Sequence, residues 1–104
     1  MTQAPLVPRD LELVRSVLRQ HPEIESATLF GSRAKGTHTP RSDMDLALAG
    51  PLGALGAEAI AAELEDLPLP YRFDVHALAA ITHVPLLEHI ERVGMVIYRS
   101  GVRP

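Results

Sequence analysis

The sequence predicts an α+β domain, a mixed sheet with helices packed on it. Three stretches carry apolar residues at helical spacing: "RDLELVRSVLRQH", "LGALGAEAIAAELEDL" and "THVPLLEHIERVG". Four shorter stretches are strand-like: "SATLFGS", "DMDLALAG", "YRFDVHAL" and "MVIYRS". They interleave as helix, strand, strand, helix, strand, helix, strand. At 104 residues the chain suits a single domain, residues 1–104, with one modest core.

Pro5 and Pro8 mark an irregular lead. In the first helix Leu11, Val14 and Leu18 form one stripe with Val17 beside it, and Asp10 is a candidate N-cap. Pro22 closes that helix because it disfavours helical geometry at His21. "SATLFGS" runs into a Gly-Ser turn. In "DMDLALAG" the strand period places Met44, Leu46 and Leu48 on one face and Asp43, Asp45 and Ala47 on the other. The second helix turns Ile60, Leu64 and Leu67 inward, with its acidic residues mostly off that stripe. "YRFDVHAL" alternates Tyr71, Phe73 and Val75 with Arg72, Asp74 and His76. The last helix has Thr82 as a candidate cap, Pro85 in its first turn, Leu86, Ile90 and Val93 on one side, and Gly94 as its stop.

Composition removes several functional classes. A net charge of −3 argues against broad electrostatic binding of nucleic acid. The chain has no cysteine, which excludes disulfides and thiolate metal sites. No apolar run approaches the ~20 residues of a membrane span, and the N-terminus lacks the pattern of a secretory signal. A cytoplasmic protein is expected.

The chemistry gathers in "LFGSRAKGTHTPRSDMDLAL". Carboxylates at i and i+2 of a strand point the same way, so Asp43 and Asp45 can share or bridge Mg²⁺, a cation that prefers oxygen ligands. Two such ions roughly 3.5–4 Å apart stabilise the entering and leaving oxygens of a phosphoryl displacement. Asp74 is the candidate third carboxylate. It lies mid-strand on a polar face, where aspartate is a poor strand former. Gly31 allows close backbone approach to a ligand, and turn amides bind phosphate oxygens. Ser32 adds a hydroxyl, and Arg33, Lys35 and Arg41 add positive charge. A nucleoside triphosphate with magnesium joins the two halves. Singly, each feature has a plainer reading: a simple turn, a surface acidic pair, an aspartate paired with Arg72 or His76.

"GSRAKGTHTPRSDMD" has Gly-Ser, ten intervening residues, then Asp-x-Asp. This resembles the signature of the nucleotidyltransferase superfamily related to DNA polymerase beta, and in particular its minimal nucleotidyltransferases (MNT). The resemblance implies the polymerase-beta-like nucleotidyltransferase fold. It implies that Gly31 and Ser32 bind the triphosphate, with Arg33 a phosphate contact and Lys35 beside it. Asp43, Asp45 and Asp74 would be the catalytic, metal-holding carboxylates for two Mg²⁺. Short members commonly pair with a helical HEPN toxin, so the resemblance also implies a hetero-oligomer. The MNT protein would act as antitoxin, transferring AMP from ATP to a toxin tyrosine. Larger members add a helical domain, which this chain is expected to lack.

Two rival functions compete with this one. The first is an antitoxin that neutralises its partner by binding alone. The second is a small-molecule nucleotidyltransferase of the aminoglycoside type, disfavoured because no second lobe is evident. The histidines give no zinc pattern. His83 and His89 are expected to cap or decorate the last helix. His76 and His38 are candidates for the site's edge.

Overall fold

The computed structural model describes residues 7–31, Ala34 and residues 43–101. The elements are helix α1 (Pro8–Leu18), strands β1 (Ser26–Phe30) and β2 (Met44–Ala49), helix α2 (Ala54–Glu65), strand β3 (Phe73–Ala77), a 3-10 turn (Leu78–Ala80), helix α3 (Val84–Val93) and strand β4 (Met95–Arg99). The strands form one sheet in the order β3-β2-β1-β4. β1 is antiparallel to both neighbours, and β3 is parallel to β2. The parallel pair requires a crossover, and α2 supplies it. The expected mixed sheet is therefore present.

Two helix starts differ from expectation. Pro8 opens α1, where its missing N–H is harmless and its fixed φ suits the helix. Asp10 is thus inside the first turn and is not the cap. It is buried, at 8% exposure, and accepts a 2.6 Å hydrogen bond from Tyr71 Oη. In α3 the residue before the helix is His83, not Thr82, and no side chain caps it. The His83 carbonyl takes the N–H groups of Leu86 and Leu87 instead. Pro85 lies in the first turn as expected. Gly94 does end α3, but with φ −68°, which any residue adopts. A Cβ there would collide with the Ile90 carbonyl and the Thr28 methyl. Close approach of the helix end to β1 is what requires glycine.

The two faces of the sheet are packed differently. Val14, Val17 and Leu18 of α1 and Ile60 and Leu64 of α2 meet Ala27, Leu29, Met44, Leu46, Leu48 and Phe73 of the sheet. Each large buried side chain contributes roughly 1.5–3 kcal/mol. On the opposite face Ile90 of α3 packs with Phe30 and Ala47, forming a smaller cluster. Polar ties hold this frame together. His21 Nε2 lies 2.9 Å from Glu63 Oε1, joining the chain after α1 to α2. The Phe73 N–H donates to Glu65 Oε2 at 3.1 Å, fixing the start of β3 to the end of α2. Among the described residues, no helix is long and apolar enough to cross a membrane.

Candidate active site

The site is set by register. Phe30, the last residue of β1, pairs with Asp45 of β2, and Asp45 pairs with Asp74 of β3. These three side chains stand in one row, on the face that α3 only partly covers. Neighbouring strands lie about 4.8 Å apart, so the Asp45 and Asp74 carboxylates are adjacent. Asp43 precedes β2 by one residue and is exposed. It lies two positions before Asp45, on the same side of the extended chain.

Gly31 turns the chain directly after Phe30, with φ +76°. A Cβ at this position would overlap the Asp45 carboxylate. Glycine is therefore needed twice, for the left-handed conformation and for the contact. The turn expected to hold phosphate thus lies against the aspartate expected to hold metal. Ser32, Arg33, Lys35, His38 and Arg41 lie outside the described residues.

Burial pushes the Asp45 carboxyl above the usual carboxylate range, and the negative charges of Asp74 and Asp43 push it further. His76 and His89 act in the opposite direction. Asp45 is thus a half-buried acid in like-charge company, an arrangement that a divalent cation relieves. Among the described residues, no three acidic or imidazole side chains form a ready-made cation cage. A cation here would draw its other ligands from phosphate oxygens and water, as magnesium does.

Two aromatic neighbours complete the wall. The His76 ring lies 5.8 Å from Phe30, and the His89 ring meets Phe30 edge-on at 6.3 Å. His76 Nε2 is 3.2 Å from Asp74 Oδ2, so Asp74 pairs with His76. His89 faces the site from α3 and is more than helix decoration. Sequence periodicity could not place it there, because the docking of α3 on the sheet decides its direction. Phe30 had one available signal, an aromatic residue directly before the Gly-Ser turn.

Residues 12–101 match the model of the family described as polymerase beta, nucleotidyltransferase. The chain belongs to that family. The nucleotidyltransferase fold is also found in solved structures. The chain is similar to one in a toxin–antitoxin complex crystallised with AMP-PNP. Identity is 22%, covering 91% of this chain and 76% of the other, at a TM-score of 0.72. It is similar to a chain of the MntA–HepT toxin–antitoxin complex, with 20% identity, 90% and 74% coverage and a TM-score of 0.69. A third is the complex of a tri-AMPylated Shewanella oneidensis HEPN toxin with its MNT antitoxin. There identity is 20%, coverage 88% and 71%, and TM-score 0.68. At these identities the likeness is one of fold. A comparison with curated protein sequences gives no match.

Proposed function

We propose that this nucleotidyltransferase moves AMP from ATP to a hydroxyl of a partner protein, and that it acts in the cytoplasm as the antitoxin of a HEPN-type toxin. The observation that carries the proposal is the row of Asp45 and Asp74 beside the Gly31 turn. The solved complexes of similar fold add support. One was crystallised with AMP-PNP, and another holds an AMPylated HEPN toxin beside an MNT antitoxin.

In this reading Gly31 and Ser32 hold the triphosphate, with Arg33 and Lys35 nearby. Asp43 and Asp45 would hold two magnesium ions, with Asp74 completing the set. When bound, magnesium neutralises phosphate charge and orients the α-phosphorus. Asp74 faces the acceptor and takes the proton of its hydroxyl. The hydroxyl oxygen bonds to the α-phosphorus, and the bond to the departing pyrophosphate breaks. Phe30 packs with Ala47 and with Ile90 of α3 at the inner side of the row.

The test is mass spectrometry of the co-purified partner after incubation with each nucleoside triphosphate and magnesium chloride. A gain of AMP mass on a partner tyrosine is expected with ATP. The double variant Asp43→Asn, Asp45→Asn should abolish that gain. Full neutralisation of the partner by the double variant would instead establish neutralisation by binding.

A further inference from the structure

We infer that His76 is a positioning residue that orients the Asp74 carboxylate toward the acceptor, with Phe30 bracing the imidazole. This rests on the role proposed above for Asp74. Asp74 lies on β3, an outer strand of the sheet, and its side chain is 59% exposed. An exposed aspartate samples several rotamers, and only some aim both oxygens at a bound substrate. His76 shares its strand face, two residues on, with Nε2 3.2 Å from Asp74 Oδ2. The contact tethers the carboxylate when Nε2 is the donor and the Asp74 oxygen the acceptor, which is the tautomer the inference requires. Asp74 Oδ2 is thereby tethered, which fixes the direction in which Oδ1 points.

The imidazole is itself held. Its ring lies 5.8 Å from that of Phe30, tilted at 54°. Phe30 is 5% exposed and packs with Ala47 and Ile90. The chain of support runs from the α3 face of the core through Phe30 and His76 to Asp74. Supporting partners of this kind change activity by about 10- to 100-fold when removed.

Two arms test the inference. In the transfer assay, His76→Phe keeps an aromatic ring against Phe30 and removes the donor. Its kcat should fall at least tenfold, with the KM for ATP within about twofold of wild type. His76→Gln retains an N–H donor and should recover most of the loss. The second arm needs no acceptor. Nitrogen-15 NMR of the histidine rings should report the Nε2–H tautomer for His76, and Asp74→Asn should perturb that signal. Unchanged kcat in His76→Phe, or an Nδ1–H tautomer, overturns the inference. Full activity in Asp74→Asn overturns the proposed role of Asp74 instead. An inactive Asp74→Asn with a fully active His76→Phe overturns the positioning role alone.

Discussion

Asp45 shows at residue scale how the role proposed for a side chain and the stability of the fold oppose each other. Burial, Asp74 and Asp43 raise its carboxyl above the usual range, so the folded chain holds that proton more readily than the unfolded chain does. The associated stability is complete below the unfolded value of about 3.9 and is lost as pH rises through the folded value. At neutral pH without divalent ions, Asp45→Asn should therefore raise Tm. Asp45 is only half-buried, so screening by solvent keeps the gain small. Thermal melts from pH 7 downward should show the gain vanish below about pH 4. The same variant should lose nucleotidyl transfer. A lower Tm for Asp45→Asn at pH 7 would contradict the electrostatic account. Gly31→Ala should cost at least ~1 kcal/mol in urea denaturation, since alanine is strained at φ +76° and its Cβ meets Asp45. The shared face of Asp45 and Asp74 and the turn at Gly31 were legible in the sequence, because strand period and the Gly-Ser spacing indicate them without tertiary knowledge. Phe30 and His89 were not, because their direction depends on how α3 lies on the sheet.

Among the described residues, the helices and the β2 and β3 strands were legible because a period of about 3.6 or of two residues ran long enough to be seen. Their ends were less so. Asp10 looked like a cap because aspartate before an apolar stripe commonly is one. Its partner is in fact Tyr71, 61 residues away in sequence. Only the packing of α1 beside the lead into β3 creates that bond. Tyr71→Phe should cost about 1–3 kcal/mol in urea denaturation, because it removes a partner from a buried carboxylate. Leu46→Ala should cost about 2–5 kcal/mol, since Leu46 is fully buried in the larger core. Leu55→Ala, on the exposed side of α2 at 82% exposure, should change stability by no more than about 0.5 kcal/mol. A large loss at Leu55 would mean that the exposed face of α2 is covered.

For the whole molecule, the parallel pairing of β2 and β3 makes the candidate active site a product of folding. Asp45 meets Asp74 only after α2 has carried the chain across the sheet face and β3 has docked in register. A ligand that recognises the assembled row therefore stabilises the folded state by mass action. ATP with magnesium chloride, at about 100 times its Kd, should stabilise the protein by about 2.7 kcal/mol. The double variant Asp43→Asn, Asp45→Asn should lose most of that shift in the same melt.

The guanidinium of Arg15 reaches across from α1, its Nε donating at 2.7 Å to the carbonyl of Ile97 on β4. β4 is a rim strand, and Met95 and Val96 on it are 41% and 46% exposed. A bare rim with such residues would invite another copy to extend the ladder and seed fibrils. Arg15 fastens the backbone of this rim strand at Ile97, the residue at the irregularity in the β1–β4 pairing. Arg15→Leu should accordingly raise light scattering on prolonged incubation while leaving the freshly prepared protein monodisperse, and scattering equal to wild type would show that this latch guards nothing.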